Sequence, residues 1–229
     1  MNEFVNSFRE AFNLIFSFDA EVYGIIWLTL TVTVSSTAIA SVIAVPAGIA
    51  IGSYDFYGKK LLVKIIHAFM GLPPVVAGLV VYIFLSRNGP LGSLGLIFTP
   101  AAMVIAQVII IIPIVTGLSI AAVRLKSKVV KENCKGLGLG KRQTFRLLLH
   151  ECRYPIFSAI LTGYGRAISE VGAVTLVGGN IQYHTRVMTT TIMLETRRGN
   201  YDQALAIGIV LISLSFVING ILYRLQEGK

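Results

Sequence analysis

Arg166 and Glu170 stand four residues apart in a long apolar run, and that spacing puts them one helical turn apart on one face, within reach of each other. A lone charge at mid-bilayer costs at least about 2.5–3.5 kcal/mol, so this face has to turn toward other helices or a cavity. Two roles fit the pair. It can be a buried ion pair that sets helix packing, or Arg166 can attract a dianion while Glu170 holds its side chain. A second chemical candidate is Glu132, near the start of a short predicted helix, with Gly138 beyond its end. A carboxylate there either satisfies the free amides of a first turn or meets an arginine of a partner. The third is Pro73-Pro74, which removes two backbone donors inside an apolar segment and leaves carbonyls to be satisfied by a water-lined pathway or a simple kink.

Other chemistries are excluded by spacing. In 136–141 the lysine is followed by Arg142 rather than Ser or Thr, and the flanks are helical, so this glycine run is not a phosphate-cradling loop. His67, His150 and His184 fall at different levels and form no metal set. Cys134 and Cys152 read as two thiols in a reducing compartment. No bound cofactor is expected.

The elements that position these residues are membrane spans. The chain has 229 residues, 55% hydrophobic and 14% charged, and its apolar runs match the ~20 residues needed to cross a bilayer. The expected fold is an all-α integral membrane protein in one domain, 1–229, with five spans at about 23–53, 65–85, 100–123, 155–177 and 203–223. Phe4, Phe8 and Phe12 predict an amphipathic helix over 1–20, lying in the lipid interface or packed on the protein's flank. With no cleavable leader evident, the first span is expected to act as the insertion signal. Its Thr29, Thr31, Thr33, Ser35, Ser36 and Thr37 can bond back to helix carbonyls. Kinks are expected at the prolines, Pro113 among them. Gln107 should bond across the bundle or line a pathway.

Orientation follows from Lys and Arg. Segments 55–64, 124–153 and the C-terminal tail carry fourteen of them, against five in the N-terminus, the link to the third span and 178–202. The termini are therefore expected N-out and C-in. The net +9 charge is a topology signal and does not point to nucleic acid.

The cytoplasmic stretch 124–153 has internal order. Val130, Cys134 and Leu137 form one apolar stripe, with Ser127 as N-cap of a short helix over about 129–137, and Gly136, Gly138 and Gly140 stop it. A second helix is expected over 141–151. Glu132-Asn133-Cys134-Lys135-Gly136-Leu137-Gly138, followed by Phe145 and Pro155, resembles the cytoplasmic signature of binding-protein-dependent ABC importer permeases. Asn133 and Cys134 stand for the usual alanines, and Glu151 for the first of two prolines. Residues 165–173, with Gly178-Gly179-Asn180, Arg186 and Glu195 beyond, are similar to the molybdate, sulfate and tungstate branch, tungstate above all.

That resemblance implies a permease subunit of an importer in the prokaryotic inner membrane, carrying tungstate, with molybdate and sulfate as alternatives. It implies a homodimer, a cytoplasmic ABC ATPase dimer that uses ATP and Mg, and an extracytoplasmic oxyanion-binding protein. The chain itself is then not an enzyme. Val130, Glu132, Cys134, Leu137, Gly138 and Phe145 become coupling residues, Pro73, Pro74, Arg166 and Glu170 pathway or gate, and Asn180, Arg186 and Glu195 residues of an external loop within 178–202. An ion-coupled secondary transporter is the rival reading, without internal repeats to support it.

Overall fold

Ser36, Ala40, Ala44, Gly48 and Gly52 recur every four residues, and in the computed structural model, which describes residues 20–227, all five are buried along one face of the first helix. Small residues at that spacing let two helix backbones approach closely. Their partner is the long fourth helix. A side chain added at Gly48 would meet Ser119 Cβ at 2.5 Å, and one at Gly52 would meet Val123 Cβ at 3.1 Å.

In chain order the helices are α1 (Ala20–Ser53), α2 (Lys59–Met70), α3 (Pro74–Leu85), α4 (Pro100–Gly136), α5 (Lys141–Glu151), α6 (Arg153–Ile168), α7 (Gly172–Gly178), α8 (Met188–Arg198) and α9 (Tyr201–Glu227), with a 3-10 turn at Gly92–Leu94. Residues 1–19 lie outside the described residues, and with them nearly all of the predicted interfacial helix. Among the described residues, three helices are long and apolar enough to cross a membrane: α1, α4 and the 201–221 part of α9. A fourth crossing is available if α2 and α3, bent by 98° at their junction, form one broken span.

Ser36 meets Gln107, Gly48 meets Ser119 and Ser53 meets Lys131, so α1 and α4 run parallel. Gly163 of α6 faces Val115 and Ile111 of α4. Three of the polar residues of α1 back-bond as expected: Thr29 donates to the Ile25 carbonyl at 2.7 Å, Thr33 to that of Thr29, and Ser36 to that of Thr33 at 3.0 Å, whereas the buried Thr37 hydroxyl has no partner among the described residues.

Four expectations need correction. Helix α4, which contains Pro113, runs on through 124–136 without a separate coupling helix. Ser127 is interior to that helix, because the Arg, Lys, Glu and Val of this stretch contain no breaker before Gly136. The second span is not one kinked helix. Pro73 stays extended at φ −61°, ψ 125°, and Pro74 starts a new helix at its first position, where the missing N–H is harmless. The stretch expected as the fourth span is likewise two pieces, ending at Ile168 and restarting at Gly172. Finally, 178–202 is not all loop, since α8 buries Met188, Thr189, Thr190 and Thr191.

Candidate functional site

The two helix breaks meet. A side chain added at Gly172, just past the α6–α7 break, would strike Val75 Cγ2 at 2.7 Å, and one at Gly78 would strike Ala173 Cα at 2.6 Å. Pro73, Pro74, Arg166 and Glu170 therefore belong to one region, where α3 begins and α6 gives way to α7. Irregular backbone at membrane depth persists only where protein or a water-lined cavity satisfies it. Here the partners are side chains from two other helices, one of them held in turn by a third. Gln107 donates through Nε2 to the Ala167 carbonyl at 3.1 Å and accepts from Ser36 Oγ at 2.6 Å. Thr189 Oγ1 donates to the Glu170 carbonyl at 3.0 Å.

Glu170 sits in the break itself rather than on the helix. Its Oε1 accepts from the Ala173 N–H at 3.0 Å, and its Oε2 lies 3.6 Å from Arg166 Nη2. The two ends of this pair differ in environment. The Glu170 side chain is 3% exposed, whereas that of Arg166 is 36% exposed. One carboxylate oxygen thus anchors the start of α7 while the other holds a guanidinium that reaches open space. The arrangement can present a fixed positive charge to an anion without leaving its counter-charge in solvent.

At the α4–α5 turn, Gly138 adopts φ 66°, a left-handed conformation that a glycine takes without the penalty of a side chain. The expected apolar stripe splits here. Val130 and Cys134 turn inward and pack with Val45, Leu148 and Cys152, and Phe145 packs against the same cluster. Leu137 alone of the stripe faces out, 73% exposed. Glu132 is exposed and makes no ion pair among the described residues. Gln143 Oε1 accepts from the Gly140 N–H at 2.9 Å and closes the turn. Burial pushes the Cys152 thiol above its ordinary value.

At the opposite end, the 181–186 segment is clamped onto the start of α1. Glu21 accepts from Gln182 Nε2 at 2.8 Å and Tyr183 OH at 3.2 Å, and pairs with Arg186 Nη1 at 3.3 Å. Asn180 takes the left-handed conformation, φ 50°, directly after Gly179. Glu195 is buried and serves its own helix end, accepting from Arg198 at 2.9 Å and Asn200 Nδ2 at 2.7 Å.

The family model described as "Binding-protein-dependent transport system inner membrane component" matches residues 44–228. The chain belongs to this family. Its relatives include the tungstate uptake system permease protein TupB of Peptoclostridium acidaminophilum, 43% identical over 227 residues, 99% of this chain and 100% of that protein. TupB of Campylobacter jejuni is 34% identical over 222 residues, 97% of this chain and 93% of that one. The sulfate permease protein CysW of Escherichia coli K12 is 26% identical over 220 residues, 91% and 76% of the two chains.

As a member of this family the chain is a multi-pass inner-membrane protein, which accords with its long apolar helices. Within it, the contacts of Glu21 and Thr189, and the bond from Ser36 to Gln107, have no counterpart among the expectations drawn from the sequence. Thr189 lies in a threonine run that carried no apolar signal, and the partners of Glu21 are remote in sequence.

Proposed function

We propose that the chain is the membrane-spanning permease subunit of an ATP-driven tungstate importer. The observation that carries this reading is the match along essentially the whole chain to a tungstate permease at 43% identity. The half-open Arg166, anchored by Glu170 beside a second helix break, supports it chemically. The weaker similarity to a sulfate permease supports a tetrahedral dianion as the cargo class and keeps sulfate, with molybdate, as the second choice.

The chain crosses the membrane five times, N-out and C-in, with α2–α3 and α6–α7 as broken spans. The parallel run of α1 and α4, with α6 packed between crossings, supports that order. A second copy of the chain completes the pathway. An extracytoplasmic binding protein delivers the anion at the Glu21 end. Arg166 attracts it at the level of the breaks, and Pro73 and Pro74 give the α2–α3 junction its bend.

Two partner ATPase subunits hydrolyse ATP with Mg beneath the α4–α5 turn, so this chain supplies no catalysis. Glu132 and Leu137 are the exposed contacts, Gly138 shapes the turn, and Val130, Cys134 and Phe145 brace it from inside. Because α4 is one continuous helix from Pro100 to Gly136, a displacement at the turn is carried along it to Gln107 and so to the α6–α7 break. Removing the chain from its host should lower tungsten accumulation, and the intact chain should restore it. Restoration by a Leu137→Asp variant present at normal levels would count against docking at this turn, and unchanged accumulation without the chain would count against the function.

A further inference from the structure

Between α1, α5 and α6 lies an open groove of about 810 Å³, within the ~300–1,000 Å³ range of ligand sites. Its floor is apolar, formed by Val42 and Pro46 of α1 and Phe157 and Ile160 of α6, and its rim carries Arg146 and Arg153. The two arginines lack carboxylate partners among the described residues. Arg146 makes no ion pair, and the nearby Glu151 is engaged by Lys126 at 3.9 Å. Arg153 meets no carboxylate: its Nη1 lies 3.0 Å from His150 Nε2, and its Nη2 donates to Tyr154 OH at 3.1 Å, with the guanidinium 4.8 Å over the Tyr154 ring. Two uncompensated guanidiniums above an oily floor are complementary to a molecule with an anionic head and an apolar tail.

The groove sits at the depth such a molecule occupies. Pro46 is about two helical turns from the end of α1, inside the apolar helix, whereas Arg146 and Arg153 belong to the basic stretch beyond it. Long basic side chains commonly bridge this boundary, and basic pockets beside membrane helices on the cytoplasmic side bind lipid headgroups. We infer that this groove is a binding site for an anionic phospholipid of the inner leaflet, with its phosphate on Arg146 and Arg153 and an acyl chain along Val42, Pro46 and Phe157. A lipid seated there joins the outer face of α1 to α5, and so couples the bilayer to the turn beneath α4. The inference rests on the membrane orientation proposed above and not on the identity of the transported anion.

The test is native mass spectrometry of the full-length permease, alone and assembled with its ATPase, given equal amounts of dioleoyl phosphatidylglycerol and dioleoyl phosphatidylcholine. The wild type should retain phosphatidylglycerol about tenfold or more over phosphatidylcholine. Arg146→Gln/Arg153→Gln should lose that preference, and Lys60→Gln/Lys64→Gln, which removes the same charge elsewhere, should keep it. Val42→Trp, which fills the floor and leaves both arginines in place, should lower retention of either lipid and provides the reading if the double arginine variant does not fold. Equal retention of the two lipids, full retention by both groove variants, or displacement by excess inorganic phosphate would overturn the inference. So would loss of the lipid on assembly, which would give the groove to a protein partner.

Discussion

Arg166→Gln removes the counter-charge of Glu170, a carboxylate 3% exposed and 3.6 Å from the guanidinium. At that distance the gross attraction is about 4–5 kcal/mol for an effective dielectric of ~20. Desolvation offsets part of it in the native protein, but a carboxylate left unpaired in the interior costs about 3–5 kcal/mol. Glu170→Gln is the milder change. Glutamine keeps an oxygen for the Ala173 N–H, and the Arg166 side chain left behind is 36% exposed and can be hydrated, so the loss should be about 1 kcal/mol. The double variant leaves no charge to compensate and should lie close to Glu170→Gln. The cycle therefore predicts a coupling of about 2 kcal/mol or more, read from the heat stability of purified, monodisperse permease in detergent. Single losses that add to within about 0.5 kcal/mol, or a Glu170→Gln variant weaker than Arg166→Gln, would refute the reasoning. The double variant also separates the two roles of the pair. If Arg166 attracts the dianion, this stable protein stays deficient in uptake; recovered uptake would assign the pair to packing alone.

Gln107→Leu should cost about 1 kcal/mol in the same stability assay, because it removes the bonds that join α1 and α4 to the end of α6, although Ser36 keeps the Thr33 carbonyl and the Ala167 carbonyl keeps the Glu170 N–H; an unchanged midpoint would mean that water replaces the amide. Gly78→Val should cost about 1–3 kcal/mol or more by forcing α3 from α7, since even its Cβ would lie 2.6 Å from Ala173 Cα, and wild-type yield and stability would show that the two breaks are less tightly apposed. Cys134 and Cys152 should resist alkylation near neutral pH in the folded protein and react after denaturation. Both are buried, and the raised Cys152 thiol reaches its reactive thiolate only at more alkaline pH, so rapid native labelling followed by mass mapping would contradict the packing.

Much of this architecture could be read from residue types alone. Thr29 and Thr33 of α1 back-bond as polar residues in an apolar helix should, Gly138 takes the left-handed turn, and Arg166 and Glu170 pair. The misread elements have identifiable causes. Residues 129–137 read as a separate short helix because Ser127 offers an N-cap and Val130, Cys134 and Leu137 a stripe, yet Lys, Arg and Glu are good helix formers and nothing there breaks α4. The break at 169–171 contains no proline. It depends on Gln107 and Thr189 reaching its carbonyls, which is tertiary information. The inward turn of Val130 and Cys134 has the same origin, since a stripe tells that a face is covered but not by what. Helix α8 is hidden because its buried face is threonine rather than aliphatic. One signal was present in plain view: the four-residue repeat of small residues from Ser36 to Gly52 marks the α1 face on which α4 lies.

The most direct measurement is tungstate uptake into sealed vesicles that contain the purified chain, its ATPase and its binding protein, with ATP supplied on the ATPase side. The account predicts accumulation that requires ATP, the ATPase and the binding protein together, and that excess sulfate suppresses only weakly. Accumulation that persists without the ATPase, or a fully assembled system that moves sulfate and leaves tungstate outside, would contradict it.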